Sequence, residues 1–234
     1  MDIEKTLRRV EDFLRQHRDE DDEAIRLLRE LYEICQKLRD QASIDFLTGL
    51  FNRRTFEKQL ELAVERAKRD RSIFSLILLD IDHFKKINDL YGHLVGDEVL
   101  RKIGHLIKST IRKIDIPARY GGEEFAIILP GTGFDGALSA AWRLKRRLDE
   151  TNFGTPDRPI KITVSMGVGT YRPLLGLSAK EFLEKVDRLL YAAKQRGRNL
   201  IVHEKEAALE ESRLEGLSQE EKEALVKGVR PYDD

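Results

Sequence analysis

The sequence has one cysteine, Cys35, so no intramolecular disulfide can form, and the lone thiol argues against a thiolate zinc site. Net charge is also missing. Lys+Arg and Asp+Glu both number 42, which leaves no basic field for long nucleic acid or an anionic membrane surface, while a small charged ligand stays possible. Long apolar runs are absent too. A stretch such as Ser75 to Leu79 falls far short of the roughly 20 residues a spanning helix needs. Met1-Asp2-Ile3-Glu4-Lys5 lacks the apolar stretch of a secretory leader. The expectation is a cytoplasmic chain with no membrane span, and its 234 residues suit one domain with a helical extension.

Proline and glycine are absent from Ile3 to Ala42, and one position recurs there in alternating steps of four and three. It runs Ile3, Leu7, Val10, Leu14, His17, Asp21, Ala24, Leu28, Leu31, Cys35, Leu38, Ala42. Apolar residues and cysteine fill this seam except at His17 and Asp21, the pattern of a coiled coil. The spacing predicts a long helix over residues 1–42 that forms a parallel homodimer, in preference to a helix folded back on its own domain. His17 and Asp21 lie in the polar run His17 to Glu23 and should weaken the zipper locally.

Ser43 to Phe51 breaks the heptad, so a globular domain is expected over residues 43–203. Asn52 is a good cap for a helix reaching about Arg69. Ser75 to Ile81 reads as a buried strand and Val95 to Ile114 as a helix. Ile116–Tyr120 and Phe125–Leu129 flank Gly121-Gly122 as a hairpin. Helix (134–151), strand (160–170), helix (178–196) and a short strand near Leu200–His203 follow. The order βαββαβ argues an α+β sandwich on a mostly antiparallel sheet. Residues 204–234 read as a charged, solvated tail, with a short helix over 219–227 that Ser218 and Glu221 could cap.

Asp80 interrupts the end of the buried strand, where an unpaired carboxylate would cost several kcal/mol, so a partner should compensate it. Asp82 shares its face if the strand continues. Glu123 and Glu124 follow the paired glycines, which let a backbone approach a bulky ligand closely. Carboxylates gathered at strand and turn ends suit a hard cation whose shell is completed by substrate phosphates. If the last long helix persists, Lys194 and Arg198 share a face and could hold a triphosphate. Basic residues are favoured in any helix's last turn, however, and Gly197 could simply end that helix.

Five spaced motifs resemble those of the GGDEF family in order: Asp45-Phe-Leu-Thr-Gly-Leu-Phe-Asn-Arg-Arg54, Asp80-Ile-Asp-His-Phe-Lys-Lys-Ile-Asn-Asp89, Tyr91-Gly-His-Leu-Val-Gly-Asp97, Arg119-Tyr-Gly-Gly-Glu-Glu-Phe125, and Ala193 to Asn199. The signature reads Gly-Gly-Glu-Glu-Phe, a variant that keeps the acids. The resemblance implies a palm-type, nucleotidyl-cyclase-like fold and a diguanylate cyclase condensing two GTP into cyclic di-GMP and pyrophosphate. It assigns the metal, Mg²⁺ with Mn²⁺ as the alternative, to Asp80, Glu123 and the Ile81 carbonyl, with Glu124 in support. Lys85, Lys194 and Arg198 would hold phosphates and Asn88 and Asp97 would read guanine, with Gly121 and Gly122 against the substrate. Guanine's N1–H and exocyclic amine are adjacent donors that one carboxylate can accept together, and adenine lacks that pair.

The resemblance also implies a product-inhibitory site at Arg112 and Asp115, because Arg112-Lys-Ile-Asp115 stands at the family's offset from the signature. Arg143 is a candidate to complete that clamp. The competing reading is a turn capped by Asp115 at a helix end. Two other functions stay open: a catalytically silent cyclic di-GMP receptor, and a cyclase using another nucleotide. An input from a sensor domain, receiver domain or partner protein acting on residues 1–42 is expected.

Overall fold

The computed structural model describes residues 3–17, 22–41 and 43–205. The chain divides into two units, Met1–Ser43 and Ile44–Asp234. The tail helix expected over 219–227 lies outside the described residues.

The first unit corrects the expectation of one unbroken helix. It holds α1 (Ile3–Gln16) and α2 (Glu23–Gln41), which contact one another. His17 is in a turn beyond α1, its ring stacked on Phe13 at 4.1 Å. The Asp22 carboxylate accepts the Ala24 N–H at 2.7 Å and starts α2 afresh. The polar run offers no apolar side chains to bury, so continuing the helix gains little there, while Asp22 is a strong cap. Leu14 and Ile25 are buried, and Ile25 is not on the predicted seam. Leu27, Leu31 and Ile34 stand exposed along α2. Asp21 and Ala42, two seam positions, lie outside the described residues.

In the second unit, Asp45 and Leu50 close a loop through an Asp45 N–H to Leu50 carbonyl bond of 2.8 Å, with Thr48 donating to the Asp45 carboxylate. Then come β1 (Phe51–Asn52) and α3 (Arg53–Asp70), which the Asn52 side chain caps as expected by accepting from the Thr55 N–H. Next are β2 (Phe74–Ile81), α4 (Phe84–Tyr91), α5 (His93–Thr110), β3 (Ile116–Arg119), β4 (Glu124–Pro130), α6 (Phe134–Glu150) and β5 (Val164–Tyr171). A 3-10 turn (Pro173–Leu175), α7 (Ala179–Gln195) and β6 (Ile201–His203) complete the unit. The helix expected from Val95 to Ile114 is α5, and α4 before it is an element that the spacing did not predict. Gly92, at φ 84°, separates α4 from α5.

The strands form one sheet in the order β1-β3-β4-β2-β5-β6. Its four central strands are antiparallel neighbours, and β1 and β6 add parallel edges. β2 is buried along its whole length, and alternation sends its side chains to both faces. Ile77, Leu79 and Ile81 join Val99, Ile103, Ala141 and Leu148 in the core beneath α5 and α6. Leu76 and Leu78 join Phe56, Leu60, Val186 and Leu190 beneath α3 and α7. Asp80 continues the second set and so points toward α7.

α7 lies tightly on β5 because position 167 has no side chain. A Cβ there would come within 2.5 Å of the Leu190 backbone nitrogen and 2.6 Å of the Val186 carbonyl oxygen. Gly167→Ala should therefore push α7 off the sheet and lower stability by about 1–3 kcal/mol in denaturant titrations. An unchanged midpoint would mean that the contact is not tight in solution.

Candidate active site

Strand pairing brings the acids together. Asp80 lies in register with Glu124 on β4 and Ser165 on β5, and the Ile81 N–H donates to the Glu123 carbonyl at 3.3 Å. The hairpin closes as the Glu124 carbonyl accepts the N–H groups of Tyr120 and Gly121, at 2.8 and 3.2 Å. A Cβ at 121 would come within 2.3 Å of a Glu124 carboxylate oxygen, so that glycine makes room for the acid. At 122 a Cβ would meet nothing within 4 Å. The protein itself does not demand a glycine there.

Asp80 is 5% exposed and has found its partner: the Lys194 ammonium, at 2.7 Å from Oδ2. Burial pushes the Asp80 carboxyl up. Hydrogen bonding and attraction from Lys194 oppose that rise, nearby Asp82 adds to it, and Arg198 opposes it weakly. The Glu123 carboxyl is also raised, first by burial and then by repulsion from Asp80 and Glu124, against attraction from Lys194. Two carboxylates with too little positive charge between them suit a hard cation.

Asp82 does something else. β2 ends at Ile81, and the Asp82 carboxylate accepts the hydroxyls of Thr163 and Ser165, each at 2.7 Å, and the Asn199 N–H at 2.9 Å. It is a buried, fully bonded anchor. His83 follows at φ 58° and starts α4 without a side-chain cap, which leaves first-turn N–H groups beside the acids. Lys85 is exposed on α4. Asn88, at the far end of α4, rests its side-chain oxygen where a Cβ on Gly96 would be, next in the chain to Asp97 near the start of α5. Both are partly buried.

Lys194 and Arg198 do not share a helix face, because α7 ends at Gln195. Gly197 (φ 110°) reverses the chain, and the Arg198 N–H reaches back to the Ala193 carbonyl at 3.0 Å, the closing bond of a Schellman motif. The Arg198 side chain has no hydrogen-bond or ion-pair partner among the described residues, yet its charge is felt at Asp80.

Arg112 and Asp115 meet directly. The guanidinium bonds the Asp115 carboxylate at 2.9 Å, and the Arg112 N–H bonds its other oxygen at 2.8 Å. Asp115 is buried and Arg112 is half exposed. Arg143, from α6, reaches the Thr110 carbonyl at 3.2 Å, so it converges on the same end of α5.

Sequence reasoning missed Arg119. Its Nε and Nη2 donate to the Gly122 carbonyl at 3.2 and 2.8 Å, while Nη1 holds Asp45 at 3.2 Å. An arginine directly before paired glycines was the available signal.

Among the described residues no three His, Cys, Asp or Glu side chains converge as a metal cluster. A cation here would draw on Asp80 and Glu123 and take its remaining ligands from phosphate and water, as Mg²⁺ does. An antiparallel palm-type sheet with paired carboxylates at adjacent strand ends, and cations facing them, defines a nucleotidyl-cyclase-like protein. The chain belongs to the GGDEF family: residues 42–200 match the family model described as diguanylate cyclase, GGDEF domain.

The chain is 41% identical over 163 residues to the response regulator PleD of Caulobacter vibrioides, an alignment covering 69% of this chain and 36% of PleD. It thus spans about a third of that relative. The coiled coil and GGDEF domain of DgcB from Caulobacter crescentus, solved in complex with c-di-GMP, superposes with a TM-score of 0.67 at 31% identity, covering 77% of this chain and 95% of that one. The active GGEEF domain of a diguanylate cyclase from Vibrio cholerae gives 0.61 at 36%, covering 65% and 96%.

A raised carboxyl binds its proton more tightly in the folded state. Its contribution to stability is therefore full below the usual carboxylate range and lost as pH rises through the raised value. At neutral pH, ionised Glu123 is thus a burden on the metal-free fold. Glu123→Gln should melt a few degrees above wild type at pH 7, and the gap should close below about pH 4. Equal melting temperatures at both pH values would contradict the mutual repulsion of these acids.

Proposed function

We propose that the chain is a diguanylate cyclase that joins two molecules of GTP into cyclic di-GMP with release of two pyrophosphates. The observation that carries this reading is the pair of buried Asp80 and half-buried Glu123, with Lys194 on Asp80, the uncapped start of α4 shortly after it in the chain, and an empty space at Gly122.

Asp80, Glu123 and the Ile81 carbonyl would hold Mg²⁺ or Mn²⁺, which supplies charge neutralisation at the phosphates and acidifies the attacking hydroxyl. Lys85, Lys194, Arg198 and the first N–H groups of α4 bind the phosphate oxygens. Lys194 need only turn from Asp80 toward the nucleotide once a cation relieves that carboxylate. Gly121 and Gly122 let the substrate lie against bare backbone, and Glu124 adds negative charge behind the site. Asn88 and Asp97 read the guanine edge. The 3′-hydroxyl of one GTP attacks the α-phosphorus of the other, forming a new P–O bond as the bond to pyrophosphate breaks. The reciprocal attack closes the ring with loss of the second pyrophosphate and of each hydroxyl proton to solvent. Each domain holds one GTP, so two copies must face each other.

The exposed stripe Leu27, Leu31 and Ile34 supports α2 as the helix that brings the copies together within residues 3–42. The α1–α2 contact makes each half of that assembly a helix pair instead of a single strand of a zipper. Input would come through this region from a sensor or receiver domain or a partner protein. Arg112, Asp115 and Arg143 converge as a product site: the half-exposed guanidinium suits a phosphate or the guanine O6/N7 edge. Product bound there would hold the two half-sites apart.

Incubation with Mg²⁺ and either GTP or ATP, followed by mass analysis, should give cyclic di-GMP from GTP alone. Asp80→Ala or Glu123→Ala should lower turnover by at least about a thousandfold while the fold survives a thermal melt. Near-normal turnover in either variant would remove the metal assignment. Leu31→Asp should shift light scattering toward monomer and cut activity at dilute protein, and an unchanged dimer would take α2 out of the interface.

Arg112→Ala should keep turnover and weaken inhibition by product roughly tenfold or more. Inhibition of that variant at wild-type strength, competitive with GTP, would place the inhibiting product in the catalytic half-site.

A further inference from the structure

Lys145 lies where an apolar residue is expected. α6 faces the sheet through Ala137, Ala141, Leu144 and Leu148, and Lys145, four residues after Ala141, is 5% exposed on that face. Burying an ammonium costs several kcal/mol, and a well-packed apolar side chain would serve stability as well or better. Its ammonium has two partners: the Asp149 carboxylate at 2.8 Å, and the side-chain oxygen of Asn199.

Asn199 belongs to the strained turn after α7. Gly197, Arg198 and Asn199 have φ of 110°, 65° and 53°, three successive residues in the left-handed region. Glycine adopts it freely and asparagine tolerates it, but for arginine it costs on the order of 1–3 kcal/mol and persists only where the surroundings impose it. They do so from both sides. The Arg198 N–H is tied to the Ala193 carbonyl, the Asn199 N–H to the Asp82 carboxylate, and the Leu200 carbonyl accepts the Met166 N–H at 2.8 Å as β6 begins. Lys145 grips the Asn199 side chain, while that of Arg198 has no hydrogen-bond or ion-pair partner among the described residues and its charge acts on Asp80.

We infer that Lys145 is a positioning residue for substrate binding: by holding Asn199 it keeps Arg198 in its left-handed conformation, with the guanidinium aimed at the GTP phosphates. This rests on the reading of Arg198 as a phosphate ligand. Lys145 itself touches no substrate. Its loss would let the turn relax and scatter the guanidinium, weakening nucleotide binding without altering the reacting groups.

The test measures binding of 3′-deoxy-GTP with Mg²⁺ by calorimetry, since a nucleotide without the attacking hydroxyl cannot condense, and KM and kcat with GTP. Lys145→Met should raise the Kd and KM roughly five- to tenfold and leave kcat within about twofold. Asn199→Gly keeps the left-handed backbone at no cost and removes only the grip, so it should give the same split, and it carries the test should Lys145→Met fail to fold. In an Arg198→Ala background neither substitution should weaken binding further.

If Arg198→Ala weakens binding while Lys145→Met and Asn199→Gly do not, the positioning role is wrong and the phosphate reading stands. If Lys145→Met costs the same factor with and without Arg198, the lysine serves the fold in general and the proposal is overturned. If Arg198→Ala itself leaves binding unchanged, both the phosphate role of Arg198 and the role built on it fall.

Discussion

A carboxylate near the end of a wholly buried strand constrains everything around it. Asp80 sits on β2 between β4 and β5, so water cannot reach it freely and the protein must supply the compensating charge. Lys194 supplies that charge from α7. α7 can do so only because it rests directly on the β5 backbone at Gly167. The position of the acid, the packing of a helix on the same face of the sheet and the placement of a cation are thus one solution to a single electrostatic problem. The fit is incomplete, since both Asp80 and Glu123 keep raised carboxyls. That shortfall is what a metal–phosphate ligand can make good.

Much of this was legible in the sequence, for reasons that differ from residue to residue. The strand around Asp80, the hairpin at Gly121-Gly122 and the cap at Asn52 follow from local patterns, and their limits moved by only a few residues. α4 was not foreseen, because eight residues are too short a stretch for periodicity to establish a helix. Asp80 and Asp82 are alike in the sequence and opposite in use. What separates them is Thr163, Ser165 and Asn199, which lie 81 to 117 residues away along the chain and which no local pattern reveals. Arg198 was expected to share a helix face with Lys194, but the helix that was to carry it stops first, and a glycine reversal sets its charge near Asp80 instead.

The N-terminal unit shows where periodicity misleads. A heptad seam describes which residues would line up if the helix were continuous, and it is silent on whether the helix continues. Between His17 and Glu23 polar side chains remove the incentive, and a capping aspartate takes over. Ile25, absent from the seam, is buried, whereas Leu31, on it, is exposed. The apolar surface that periodicity assigned to one long zipper is therefore divided between an internal helix contact and an outward stripe.

The guanidinium of Arg119 ties two parts of the chain that the sequence keeps far apart. Asp45 lies 74 residues before Arg119, in the loop that opens the second unit, and the same side chain grips the carbonyl of Gly122 at the signature turn. In mechanical terms the loop and the turn are the two ends of a short, stiff rod. A displacement of the loop reaches the backbone of the signature turn across one planar group and three hydrogen bonds, without having to deform the sheet between them.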